Sequence, residues 1–450
     1  MTSGPRPTGG HVHPVPHGTN RRRITQIAAV VVVTAALAAC GSSKSGSSSG
    51  GSLTIADLAP FTGADAALGP IYLASCKGAT HAINAAGGVL GHQLTCKSVD
   101  TRGDPADAVP AARQMFASTS NLALVIGVTS DEASAVVPII NANKTVVFSM
   151  TGQSEFDNTH FDYFYRLVAP DLAESYAMVA IAQTKHYHRL ALAFGNDIGS
   201  QTFVQPAISA IGKANMQLAA NETLDLHATT FRTEAQKIVS AHPDVILTEA
   251  LGSAEASFLS EVKSLNGGTM IPVIGTSATI DPSWYKSVST AIGGSTLATN
   301  YVADNVVVQT TGSAYSAFSA ALTAVKNQVG NTGNFDTYLT APGAVHLYDG
   351  MNLAALAMIQ SKSTTSSKYR SAMEKIANGV PGATVVSSFS AGAAALKAGK
   401  TIRYIGPGGP TNFDAFHDST GLFQIDTYDA SGKVKVVGSL SPDQLRAVGG

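Results

Sequence analysis

The chain is 450 residues long, with a formal net charge of −1 and only 13% charged residues. That length allows two or three domains, and a near-neutral chain without a basic stripe excludes nucleic acid as its partner. The balance shifts once residues 1–39 are set aside: Arg6, Arg21, Arg22 and Arg23 are their only charges, so losing them from the 29 Lys and Arg leaves 25 basic against 30 acidic residues, formally −5.

Arg21-Arg22-Arg23, the apolar run Ile27 to Ala39 broken only by Thr34, and the small residues at its end have the three parts of a secretory signal. The run falls short of the roughly 20 residues that span a hydrocarbon core, so it reads as a signal and not as a membrane span. Its end, Leu37-Ala-Ala-Cys40-Gly41, resembles a bacterial lipobox, which implies a signal peptide over 1–39 and a lipid on Cys40. Residues 40–52 are almost wholly Gly and Ser and read as a flexible tether. Gly46-Ser-Ser48-Ser-Gly50 matches the nucleophile-elbow pattern, but it lacks the strand and helix that an elbow joins. The two remaining cysteines, Cys76 and Cys96, are expected to form one disulfide in an exported protein.

From Leu53 the apolar pattern alternates between strands and helices. Leu53 to Leu58 reads as a strand, and a long helix follows through Ile71, Ala74, Ala79 and Ile83 to Gly87-Gly88. Gln93 to Val99 is the next strand, and Asp104-Pro105 opens a second helix. Leu122-Ala-Leu-Val-Ile126 fits a strand buried on both faces, followed by a turn and a helix carrying Ala133, Val136, Val137 and Ile140. Thr129 to Glu132 spells a capping box at that helix start, where free backbone N–H groups also suit an anion; both uses are open. Thr145 to Ser149 closes this unit as a short strand.

A second α/β unit follows, with strands at Arg189 to Phe194, Val245 to Thr248 and Ile271 to Ile274 and helices through Phe203 to Ile211, Phe231 to Val239 and Phe258 to Val262. Ala-rich helices at Gly343 to Ile359 and Lys368 to Ala377 come next. The end of the chain changes to short strands at Ile402 to Ile405 and Phe423 to Tyr428, with a hairpin turn at Asp429-Ala-Ser-Gly432. The alternation predicts an α/β fold with mainly parallel sheets flanked by helices.

Four blocks resemble the type I periplasmic binding proteins, specifically the branched-chain amino-acid (Leu/Ile/Val) substrate-binding family of ABC transporters. They are Ile83-Asn-Ala-Ala-Gly-Gly-Val-Leu-Gly91; Asp100-Thr-Arg-Gly-Asp104-Pro105 with Val109; Val125-Ile-Gly127 with Ser130 and Pro138; and Tyr404-Ile-Gly-Pro407 through Asn412-Phe413-Asp414 to Gly421. The resemblance implies two lobes joined by three hinge crossings, expected near Leu167, Tyr301 and Gly382. One lobe would comprise 53–167 and 302–382, the other 168–301 and 383–450. It further implies that ligand binds between the lobes. On the first lobe the contacts fall on Thr129 and Ser130, the hydroxyls for a ligand carboxylate, and on Ser149, Met150 and Thr151. On the second they fall on Asp197, Ile198, Glu249 with Ala250, and Ser277. The acid near Ser277 and the aromatic rings near Leu68 and Ile198 that amino-acid-binding members use are absent from those positions. Glu249 or Asp281 is then the candidate for pairing a ligand ammonium.

Other chemistry is weaker. Gly399-Lys400-Thr401 lacks the leading glycine of a phosphate loop, so an ATPase would be a separate chain. His186-Tyr-His188 offers too few ligands for a metal, and Trp284 and Tyr285 read as packing before ligand stacking. The expected function is a lipid-anchored extracytoplasmic solute-binding protein, not an enzyme, acting as a monomer without cofactor. It would take a small amino-acid-like, carboxylate or amide metabolite and deliver it to a membrane permease with its ATPase. The alternative is a ligand-sensing lipoprotein that signals through a partner.

Overall fold

The computed structural model describes residues 51–449 apart from 64, 251, 331–334, 420 and 421. The expected signal, Cys40, nearly all of the tether and Gly421 lie outside the described residues. Two sheets organise the rest. The first contains β1 (Leu53–Ala59), β2 (Leu94–Asp100), β3 (Leu122–Val128), β4 (Val147–Ser149) and β5 (Phe164–Arg166), in the order β2-β1-β3-β4-β5 with every pair parallel. The second contains β6 (Arg189–Gly195), β7 (Gln217–Leu224), β8 (Val245–Glu249), β9 (Val273–Gly275) and β10 (Tyr301–Val306). They run in the order β7-β6-β8-β9-β10, again all parallel. A two-stranded sheet of β11 (Thr384–Val386) and β12 (Ile402–Tyr404) is separate. The hairpin of β13 (Phe423–Tyr428) and β14 (Val434–Leu440) extends the second large sheet antiparallel beyond β10.

Both parallel sheets share one winding. Each starts at an inner strand, steps outward to one side, returns across the start and continues to the other side. The winding reverses between β1 and β3 in one lobe and between β6 and β8 in the other. In open α/β sheets a crevice opens outside the carboxyl ends of the strands at such a reversal. Apolar side chains cover both faces of each sheet, and this accounts for the continuous apolar runs of β3, β6 and β8.

The chain passes between lobes later than expected at two points. Tyr301–Val306 pairs with β9 and β13 in the second sheet, so the second crossing follows Val306 instead of preceding Tyr301. Val386, Phe389, Ile402, Tyr404 and Phe413 pack into the core of the first lobe, so the third crossing follows that segment and not Gly382. The first crossing follows Arg166, whose side chain is wholly buried and bonds to Asp157 (2.7 Å) and Asp418 (3.1 Å). The Arg166 amide also donates to the His417 carbonyl at 3.0 Å, which ties the first crossing to the start of the third.

The quoted motifs prove to be joints of this scaffold. Asn84 bonds both ways to the backbone of Leu94, and Asp100 accepts from the amides of Phe61 and Thr62. Asp104 caps the helix Pro105–Ser118. Asp349 accepts from the Gly408 amide and the Tyr404 hydroxyl, each at 2.8 Å. Trp284 packs with Tyr301 and Tyr428 in the second-lobe core, and Tyr285 bonds to the Ala430 carbonyl.

Cys76, on the helix Leu68–Ala85, is bonded to Cys96 on the edge strand β2, with their Cα atoms 6.1 Å apart. The bridge spans 20 residues of sequence, a loop whose closure contributes about 3 kcal/mol in the chain-entropy description. Denatured, unreduced protein is therefore expected to show neither thiol of this pair, and reduction to lower the unfolding free energy by about that amount. Two reactive thiols before reduction would contradict the bridge.

Candidate functional site

The carboxyl ends of both sheets face one cavity of about 150 Å³ between the lobes. From the first lobe come Asp65 after β1, Thr129, Ser130 and Asp131 after β3, and Met150 after β4, with Leu68, Ile71 and Tyr72 on the helix that follows β1. From the second come Asp197 and Gly199 after β6, Glu249 at the end of β8, and Ser277, Ile280 and Asp281 after β9. Pro342 and Gly343 open the helix Pro342–Ser361 and close one side. Gly343 is needed there: a Cβ would lie 2.7 Å from the Tyr72 ring.

Thr129, Ser130, Met150, Asp197, Glu249 and Ser277 thus line the cavity, as does Asp281. Ser149 and Thr151 are absent from the lining and support the loop behind it. The Ser149 hydroxyl donates to the Val128 carbonyl at 2.9 Å, and Thr151 accepts from the Ser130 hydroxyl at 3.2 Å. Ile198 is 47% exposed and lies outside the cavity, although its neighbour Gly199 lines it.

The helix start at Ser130 is capped by the chain itself. Glu132 accepts from the Thr129 amide at 3.0 Å and from the Thr129 hydroxyl at 2.6 Å, so the predicted capping box forms. Asp131 instead reaches the other lobe, where its Oδ1 accepts from the Gly199 amide at 3.0 Å. Absence of a side chain at Gly199 allows this approach: a Cβ there would lie 3.3 Å from the Ser130 Cβ.

Acids dominate the polar wall. Asp65, Asp131, Asp197, Glu249 and Asp281 all line the cavity, and no Lys, Arg or His does. Asp65, Glu249 and Asp281 are only 6–7% exposed. Burial raises the Asp65 carboxyl well above the usual range, and the neighbouring charge of Asp131 raises it further. Asp131 is raised by burial and then by Asp197, while the amides of Gly199 and Ile198 work against the shift. Glu249 is raised strongly by burial, although it accepts from Thr276 and from Ser200. Burial also raises Asp281, against the hydrogen bonds through which it caps the helix Pro282–Ile292. Ser277 donates its amide (3.1 Å) and hydroxyl (2.9 Å) to Glu174, which burial pushes up to about 7.

Two expected gaps close in space. Tyr72, one helical turn beyond Leu68 and on the same face, brings a ring to the cavity. Asp281 and Glu249 place acid on the Ser277 side, with Glu174 beneath it. Asp65, Asp131 and Tyr72 were not singled out by sequence reasoning. The signal for the two acids was their position in loops that leave the carboxyl ends of β1 and β3.

A family model described as periplasmic binding protein matches residues 52–418. Among solved structures, the isoleucine-bound substrate-binding protein LivJ of a Streptococcus pneumoniae branched-chain amino-acid transporter is similar at 17% identity. The match covers 87% of this chain and all of that one, with a TM-score of 0.68. The leucine-binding protein LivK from Thermotoga maritima is 18% identical over 87% of this chain and 99% of its own, also at 0.68. A solute-binding protein from R. palustris, in complex with 4-hydroxybenzoate, is 14% identical over 87% and 97% of the two chains, with a TM-score of 0.66. No curated protein sequence matches the chain.

Asp171 and Glu255, on the second lobe, are each pushed up to about 8, chiefly by burial. A carboxyl raised in the folded state holds its proton where the unfolded chain has lost it, so stability falls as pH rises from about 4 to about 8. The melting temperature of ligand-free protein is expected to drop between pH 5 and pH 8, by an equivalent of roughly 3 kcal/mol or more. A melting temperature that is flat or rises over that window would contradict these protonation states.

Proposed function

The chain belongs to the periplasmic binding protein family, and from that premise we propose that it is the solute-binding lipoprotein of an ABC importer. It works outside the cytoplasmic membrane, tethered through Cys40 by the Gly/Ser segment. It holds a small polar metabolite between its lobes and presents the closed form to a permease driven by a separate ATPase. The observation that carries this reading is the convergence of both winding reversals, with their strand-end loops, on a single cavity. Closure of two lobes over a ligand by hinge motion gives a membrane partner a shape to recognise. The Asp131 to Gly199 contact between the lobes is the kind of bond that a closed form makes.

Mass spectrometry of small molecules released on denaturing protein purified from its native membrane is expected to find one ligand in near-stoichiometric amount. That compound, added back at 100 times its Kd, should stabilise the protein by about 2.7 kcal/mol. Ser130→Ala should weaken its binding about fivefold, the loss of one hydrogen bond of ordinary strength, with little change in ligand-free melting. If no compound is released and none in a panel of amino acids, amines, amides, urea and organic acids raises the melting temperature, the binding function is wrong.

A further inference from the structure

We propose that the ligand of this cleft is a small organic cation, an alkylamine or guanidine without a carboxylate of its own, and not a zwitterionic or anionic metabolite. The inference rests on the cleft being the ligand site and concerns only the charge of what it takes. Five carboxyl groups line the cavity, from both lobes, and no basic side chain accompanies them. An anion entering this wall would find the hydroxyls of Thr129, Ser130 and Ser277 but no basic side chain, and would oppose ionisation of the five acids. The chain's own acids already accept from groups near both helix starts that face the cavity. Glu132 takes the Thr129 amide and hydroxyl, and Asp131 the Gly199 amide.

One oxygen among these acids lacks a protein partner. Asp197 Oδ2 is enclosed and accepts no hydrogen bond. The Asp65 carboxyl, 7% exposed, faces another acid, Asp131. Buried acceptors of this kind are costly unless a donor arrives, and a cation with several N–H groups supplies donors and charge together.

A metal ion does not fit the arrangement. Among the described residues no three His, Cys, Asp or Glu side chains converge closely enough to hold one. The carboxyls instead come from both lobes, Asp65 and Asp131 from one, Asp197, Glu249 and Asp281 from the other, and Leu68, Ile71 and Ile280 line the same space. A cation with an alkyl body suits carboxyls that share a wall with apolar side chains. A space of about 150 Å³ is that of a ligand of roughly six to ten non-hydrogen atoms, since a cavity of that size accepts benzene. Tyr72 lines the same space, and an aromatic ring is a favourable neighbour for an ammonium.

Isothermal titration with 1,4-diaminobutane and agmatine, beside L-leucine, benzoate and Ca²⁺, tests this. At least one of the two cations is expected to bind 100-fold or more tightly than L-leucine. Asp65→Asn and Asp197→Asn should each weaken that binding tenfold or more, whereas Asp443→Asn, on the exposed C-terminal helix, should not. Asp65→Asn puts a neutral side chain that can still donate to Asp131 where the carboxyl already keeps its proton, so it should melt no lower than the wild type; its loss of affinity then cannot be a loss of fold. Binding of L-leucine or benzoate with both amines silent overturns the cation reading and leaves the binding-protein reading standing. Binding of Ca²⁺ alone overturns it in favour of a metal. Silence from all five, with no molecule released on denaturation, removes both.

Discussion

Asp65 and Asp131 on the first lobe, and Asp197, Glu249 and Asp281 on the second, face one another across a cavity that no basic side chain enters. Two unit charges 4 Å apart interact with about 4 kcal/mol at an effective dielectric of 20. A closed, empty cleft cannot carry that repulsion between several ionised acids, so protons are retained. Burial raises Asp65, Asp131, Glu249 and Asp281, and for Asp65 and Asp131 neighbouring acids add to it. The fold creates this condition because the same winding occurs twice, with the carboxyl ends of both sheets turned toward each other. Strand ends set the positions of the acids, and the closing of the lobes sets their spacing.

The joints around the cleft divide the labour. Arg166, wholly buried at the first crossing, is committed to Asp157 and Asp418, where it holds that crossing to the approach of the third. Paired in this way, its charge serves the hinge. The Asp131 to Gly199 bond joins the two lobes beside the cavity, and a small separation of the lobes would break it. Opening then has a stiff pivot and a weak latch, the arrangement that hinge closure around a ligand requires. Ser277 is held from beneath by Glu174, which shares its buried surroundings with Asp304, so even the wall behind the second lobe is acidic.

Much of the scaffold was legible in the sequence because local rules write it. The apolar runs of β3, β6 and β8 announce strands buried on both faces, the Thr129 to Glu132 spacing announces a capping box, and Asp429-Ala-Ser-Gly432 announces a hairpin. Other elements escaped for equally local reasons. Gln217–Leu224 is a half-exposed edge strand of polar character, and Phe164–Arg166 is too short to show a period. The blocks that carry the family resemblance turned out to pin turns and helix ends, so they identify the fold more firmly than they identify what it binds. Carrying the family's contacts over placed six of ten positions on the cavity wall, with Ser149, Thr151, Ile198 and Ala250 off it. Asp65 and Asp131 were beyond its reach, because each is an ordinary loop or helix-start acid until the second sheet is set opposite the first.

The account stands on protons that the cleft keeps when empty and must yield to a cation. Asp65 is faced by Asp131, Glu132, Asp197 and Tyr72, none of which can compensate its charge. An alkylamine stays protonated near neutral pH, so any proton exchanged on its binding comes from the protein. Titration of 1,4-diaminobutane at pH 7 in buffers of differing ionisation enthalpy measures that exchange directly. Net release of protons is the predicted result. Proton uptake, binding without exchange, or no binding would contradict a cleft built from carboxyl groups that await a cation.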